Sequence, residues 1–165
     1  MTNVIYLFFH LRYFCYMLYN DIQQIKNFRN EYHKTIVNIQ FTSNWILERV
    51  KIFVEQKDIT PQQYNILRIL RGSIHPLSTQ QIRDRMLDKM SDASRLVDRL
   101  VKKELVLKKV SNIDKRLVDI TISEKGLELL KELDEKNKEL DNIIHNLSEE
   151  EATTINNLLD KIRHN

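Results

Sequence analysis

Cysteine, glycine and proline are scarce in this chain of 165 residues, which has one, two and two of them. A single cysteine excludes an intrachain disulfide framework and any cysteine-based zinc site. So few glycines and prolines argue against collagenous, linker-rich and turn-rich all-β chains and in favour of long helices. They also leave no glycine-rich loop to cradle a phosphate. His10, His33, His75, His145 and His164 never fall at metal-ligand spacing, so neither a metal nor a cofactor is expected. No Ser-His-Asp or paired-carboxylate arrangement stands out, and the chain is not read as an enzyme.

Long apolar runs are missing too. Val4 to Tyr19 comes nearest, and residues 1–20 hold seven of the thirteen aromatics. These sixteen residues are interrupted by His10 and Arg12 and fall short of the roughly 20 that a spanning helix needs. No basic stretch precedes them and no small-residue cleavage site follows, which argues against a secretory signal. Residues 1–22 are read either as a helical extension packed on a partner or as the product of an upstream start codon, the protein then beginning at Met17. No membrane partner is expected, and the reading is of a cytoplasmic protein with Cys15 reduced or buried.

Charge is present in both signs but unevenly placed. Residues 1–59 carry 7 basic and 5 acidic side chains, residues 60–122 carry 13 and 7, and residues 123–165 carry 6 and 11. The basic middle third is a footprint for a polyanion, or else a solvated face, and only placement on structure separates the two. The length is that of one domain, enough to bury a core without staples.

Start signals divide the chain into helices. Ile36, Ile39, Ile46, Val50, Phe53 and Val54 recur at helical steps up to about Lys57, as one face of a long helix requires. Thr60-Pro61-Gln62-Gln63 and Ser78-Thr79-Gln80-Gln81 are two capping boxes, the first with proline at the first helical position. Gly72 to Pro76 ends the helix between them, and the next is predicted to run through Met86 or Leu87. Ser91-Asp92 opens a fourth helix with Leu96, Val97, Leu100 and Val101 in one stripe. The period then becomes alternating. Leu105 to Val110 and the run containing Val118, Ile120 and Ile122 predict two strands, with Ser111 to Arg116 as a polar hairpin tip. Ser123 caps a predicted helix reaching about Asn146, along which Leu130, Leu133, Asn137, Leu140, Ile144 and Leu147 step by threes and fours as in a coiled-coil seam. Ser148 to Glu151 is a further capping box, followed by Ile155, Leu158, Leu159 and Ile162 on one side.

The fold class expected from this order is mainly α with a small β-hairpin wing: a winged helix-turn-helix with N- and C-terminal dimerisation helices. Residues 23–59 and 123–165 are the dimerisation helices, and 60–122 the winged lobe. Three segments carry a family resemblance: Ile59-Thr60-Pro61-Gln62-Gln63-Tyr64-Asn65-Ile66-Leu67, Ser94-Arg95-Leu96-Val97-Asp98-Arg99-Leu100, and Asp114-Lys115-Arg116 just before Ser-Glu-Lys-Gly. Over residues 30–165 the chain resembles the MarR (multiple antibiotic resistance regulator) family of bacterial transcription factors.

The resemblance implies roles that physical chemistry can weigh. In a helix-turn-helix the second helix enters the major groove by its N-terminal turn, so Ser91, Asp92, Ala93, Ser94 and Arg95 are expected within reach of base edges. Arg95 is assigned to guanine, whose O6 and N7 match its fork. Arg99 lies one turn further on, with a phosphate or an acidic neighbour as its partner. Asp92 and Asp98 fit this face only as residues that orient its cations. Ser78 and Thr79 are expected on the DNA backbone, with Arg83 and Arg85 as additions. The resemblance places Arg116 in the minor groove with Asp114 holding its guanidinium, and Lys108, Lys109 and Lys115 on phosphates. Where the family usually has glycine after the recognition helix, this chain has Lys103-Glu104-Leu105; a slightly different turn is expected.

A single lobe reads few base pairs, so a homodimer on double-stranded DNA with an inverted repeat is expected. Leu133, Asn137, Leu140, Ile144 and Leu147 form its seam, with packing inside one chain as the other reading, and Asn137 either fixes register or faces solvent. Family members often bind small aromatic or phenolic effectors, for which His33, Asn44, Trp45 and Arg49 offer walls or else merely pack. The overall reading is a regulator of transcription, acting most often as a repressor. Its rival is a winged-helix module that binds protein, favoured if Arg95, Arg99 and Arg116 are paired with acids throughout.

Overall fold

The computed structural model describes residues 28–110 and 118–164. The elements are α1 (Glu31–Glu55), α2 (Pro61–Arg71), α3 (Thr79–Arg85), α4 (Ala93–Lys102), β1 (Val106–Val110), β2 (Val118–Ile122), α5 (Glu124–Asp134), α6 (Asn137–Asp141), a 3-10 turn (Asn142–Ile144) and α7 (Glu149–Arg163). This is the expected winged helix-turn-helix order. The chain divides into two units, residues 1–44 and 45–165.

In the first unit the Asn30 side chain accepts the His33 N–H at 2.9 Å and so starts α1. The Phe28 ring meets the edge of the His33 ring, 5.8 Å between centroids. Ile36 and Ile39 on this stretch are exposed.

The second unit is built on the capping boxes. Thr60 Oγ1 accepts the Gln63 N–H at 3.2 Å while Gln63 Oε1 accepts the Thr60 N–H at 3.0 Å. Ser78 with Gln81, and Ser148 with Glu151, repeat the arrangement. Each box satisfies two donors that a helix start leaves open. α2 lies at the centre, packed against α3, α4, α5 and β2. Its Ile66 and Leu67 are wholly buried, as are Val54, Ile82, Val97, Leu100 and Ile120. The hairpin pairs Val106 with Ile122, Lys108 with Ile120 and Val110 with Val118. A third rung comes from Leu77, which exchanges two backbone hydrogen bonds of 3.0 and 2.9 Å with Ile120. One paired residue between Pro76 and the Ser78 cap has no period for sequence reasoning to detect.

The turn after α4 corrects an expectation. Glu104 adopts φ 61°, the left-handed conformation that glycine provides at helix ends, and not a different turn. The Glu104 N–H donates to Val101 O at 2.9 Å and the Leu105 N–H to Leu100 O at 3.0 Å, the bond pair of a left-handed helix terminus. Its neighbours hold glutamate there. The Glu104 carbonyl accepts from Ser123 Oγ at 2.6 Å, and its carboxylate takes Lys125 Nζ at 2.8 Å, a hydrogen bond that holds the carboxyl below its usual range.

The C-terminal seam is the second correction. α5 ends at Asp134, and no helix continues to Asn146. Leu130 and Leu133 are 0% exposed, in the core of their own chain, so Leu133 leaves the expected dimer set. Packing against α2 fixes the direction of α5, and the break at Glu135 and Lys136 turns Leu140 back onto the same core. Asn137, Ile144 and Leu147 remain exposed. α7 buries none of its residues, and its Ile155, Leu158 and Ile162 are bare.

Candidate nucleic-acid interface

α4 is held as a recognition helix must be, with one face in the core and the other in solvent. Val97 and Leu100 anchor the inner face, while Ser94, Arg95, Asp98 and Arg99 stand outside. Ala93 differs from the rest of the expected set: it is 3% exposed, although it still lines the groove at the helix start. Asp92 is the cap, accepting the Arg95 N–H at 3.1 Å. Its second oxygen lies 3.1 Å from Arg95 Nε, with the arginine side chain 81% exposed. Such an exposed pair is worth about 0–1 kcal/mol, so Asp92 orients Arg95 without tying it down.

Two further cations differ in their engagement. Lys108, expected on phosphate, instead donates to Asp98 Oδ1 at 2.8 Å, joining β1 to the outer face of α4. Asp98 therefore orients a lysine and not an arginine. Arg99 makes no ion pair among the described residues, and neither do Arg83, Arg85 and Lys109. Pairing is thus partial, not general. Asp114, Lys115 and Arg116 lie outside the described residues, as does Cys15.

Between the starts of α3 and α4 runs a groove of about 540 Å³. Thr79, Gln80 and Arg83 line one wall, and Met90, Ser91 and Ser94 the other. Ser78 Oγ is engaged as a capping acceptor but keeps its own O–H to donate. Met90 was not among the expected site residues, although an apolar side chain directly before a polar helix start is legible in the sequence.

A second cavity of about 720 Å³ lies in the same unit, with Ile46, Val50, Tyr64, Asn65, Leu87 and Leu140 on its walls. The wall residues suggested by sequence do not form it. The Arg49 guanidinium stacks 3.5 Å from the Trp45 ring centre and donates to the Trp45 carbonyl, and His33 accepts a backbone N–H from Arg29. Asn65 Oδ1 accepts the Leu87 N–H at 3.0 Å, which ties α2 to the turn before α4. Among the described residues no helix is long and apolar enough to cross a membrane, and no three His, Cys, Asp or Glu side chains gather as a metal site.

The family model described as "MarR family" matches residues 57–117. The HTH-type transcriptional regulator MhqR of Bacillus subtilis (strain 168) is 32% identical over 112 residues, which are 66% of this chain and 75% of that protein. A MarR mutant from E. coli complexed with operator DNA shares the fold, with a TM-score of 0.72 at 20% identity over 82% of this chain and 98% of the other. The organohalide-sensing regulator RdhR in its 2,4-dichlorophenol-bound form gives a TM-score of 0.73 at 21% identity, over 81% and 80%.

Proposed function

The chain belongs to the MarR family of transcription regulators, and on that premise we propose that it is a homodimeric repressor of an inverted-repeat operator. α4 enters the major groove, and the wing carrying Lys109, Lys115 and Arg116 follows the minor groove and the backbone. The observation that carries the reading is the outer face of α4: Ser94, Arg95 and Arg99 project from a helix whose inner face is locked in the core. Arg95 is oriented by Asp92 yet free to exchange that partner for guanine. Thr79 and Ser78 supply the hydroxyl donors for phosphate. The regulator works in the cytoplasm, where its operator is.

Dimerisation is supported by apolar surface that one chain leaves uncovered. Among the described residues, Ile155, Leu158 and Ile162 of α7 are exposed, and so are Ile36 and Ile52 of α1. Leu140, Ile144, Leu147 and Asn137 belong to the same C-terminal segment. Burying such residues is worth about 25 cal/mol per Å², which favours a second copy. A small aromatic or phenolic effector fits the 720 Å³ cavity by size and by its apolar walls, and RdhR holds a chlorophenol. Because Leu87 lines that cavity and heads the turn into α4, an occupant would bear directly on the recognition helix.

The test is selection of bound sequences from a random duplex library, followed by titration of the winner at several salt concentrations. An inverted repeat with half-sites about one helical turn apart and a steep salt slope is expected. Arg95→Ala should relax base preference at one position and cost about 1–3 kcal/mol there. Arg116→Ala should weaken binding without unfolding the protein. Failure to recover any motif, with or without candidate phenols, would instead favour a protein-binding module.

A further inference from the structure

Two apolar side chains stand out in the turn between α3 and α4. Leu87 is 88% exposed and Met90 is 94% exposed, yet they serve different surroundings. Leu87 belongs to the wall of the apolar cavity. Met90 instead lines the groove shared by Thr79, Gln80, Ser91 and Ser94. In that groove it is the large apolar side chain among hydroxyls, an amide and cations.

Its position is braced. The Met90 N–H donates to Asp88 Oδ1 at 3.0 Å, and Ser91 Oγ donates to Asp88 Oδ2 at 2.6 Å. The two bonds fold residues 88–91 into a fixed turn, so the Met90 backbone is set before anything binds. The hydrogen bond from Ser91, and after it that from Met90, hold the Asp88 carboxyl below its usual range, which keeps this acceptor charged at neutral pH. A single exposed methionine is ordinary on a protein surface. One held on a braced turn, between the residues that would touch phosphate and those that would read bases, has an apolar partner available: the major-groove edge of thymine carries a C5-methyl group and no other base does.

We propose that Met90 is a specificity-determining residue that reads a thymine methyl in each half-site of the operator, a role resting on the DNA-binding reading above. A thioether chain is suited to this, because it is flexible and polarizable and adjusts to a small apolar knob. Methyl contact also gives Arg95 a neighbour of different chemistry, so that the helix start reads a guanine and a thymine by separate forces.

The test removes the methyl and the side chain in turn. Each thymine of the selected operator is replaced by deoxyuridine, which deletes only the C5-methyl, and affinity is measured by fluorescence anisotropy for the wild type and for Met90→Ala. Burial of one methyl predicts a loss of about fourfold for the wild type when one thymine is replaced, and about fifteenfold when both members of a symmetry-related thymine pair are replaced. In Met90→Ala the normal operator should bind several-fold weaker, and the uracil penalty at that pair should vanish. Met90→Leu should keep the penalty. Specific binding by the wild type with no uracil-sensitive thymine, or a penalty that persists in Met90→Ala, would overturn the proposal while leaving the regulator intact. Absence of specific binding would overturn both. Met90 lies outside the core, so circular dichroism and melting of the variant should match the wild type.

Discussion

Asp98 on α4 accepts a hydrogen bond from Lys108 on β1 at 2.8 Å, linking the outer face of the recognition helix to the first strand of the wing. The pair is charged on both sides, and on the proposed DNA-binding reading it competes with a phosphate for Lys108. Asp98→Asn is expected to release Lys108 and remove one negative charge from the basic face. Affinity for random duplex should rise, and the slope of log K against log salt should steepen by about 0.9 for each protomer, about 1.8 for the proposed dimer. An unchanged slope would mean that Lys108 never reaches the backbone.

Glu104 occupies a conformation that suits glycine, so Glu104→Gly is expected to stabilise the fold. Relief of the left-handed backbone is worth about 1 kcal/mol, and the pair lost with Lys125 is exposed on both sides and therefore weak. The melting temperature should rise, by at most about 2–4 °C, in a calorimetric scan. Glu104→Ala keeps the Cβ and loses the pair, and should melt no higher than the parent.

Gly126 sits where the first turn of α5 meets the end of the α4 turn. A Cβ there would lie 2.3 Å from the Leu105 carbonyl oxygen and 2.8 Å from Ile122 Cγ1. Gly126→Ala should therefore force α5 away from the hairpin and cost about 1–3 kcal/mol or more, read as a lower urea midpoint. Lys125→Ala next to it should stay within about 0.5 kcal/mol of the parent.

Asp134 receives Arg71 at 2.5 Å and Arg68 at 3.4 Å. The Arg71 hydrogen bond chiefly, with the charges of Arg71 and Arg68, holds its carboxyl below the usual range. A depressed folded-state value means stability that is present above the unfolded-state value and lost as pH falls through the folded one. Asp134→Asn should be less stable than the parent at neutral pH. It should also lose less on acidification below the ordinary carboxylate range, so the two denaturation curves converge there. Parallel curves would show that the clamp contributes nothing.

Much of this architecture was legible because the signals are local. Thr60, Ser78, Asp92, Ser123 and Ser148 act on helix starts within three residues of themselves, and each caps where its neighbours in sequence say it should, with Pro61 at the first helical position after Thr60. The alternation of Val118, Ile120 and Ile122 announces a strand for the same reason, and the basic middle third follows from counting. Serine and arginine at the start of α4 could likewise be named as candidates from their place in the pattern.

What only the tertiary structure decided depends on contacts between distant residues. A heptad of leucines is the same string whether it faces a second chain or its own core. Burial of Leu130 and Leu133 against α2, with Asp134 clamped by two arginines from that helix, chose the core and broke the long helix. Glu104 became left-handed because Ser123, nineteen residues on, holds its carbonyl. Ala93 became buried, Lys108 found Asp98, and Met90 came to line the groove through the packing of α3 against α4. Sequence determines which segments can be helix or strand, since those preferences are set by adjacent residues; the free energy of burial, shared among residues far apart in the chain, determines which face each one shows.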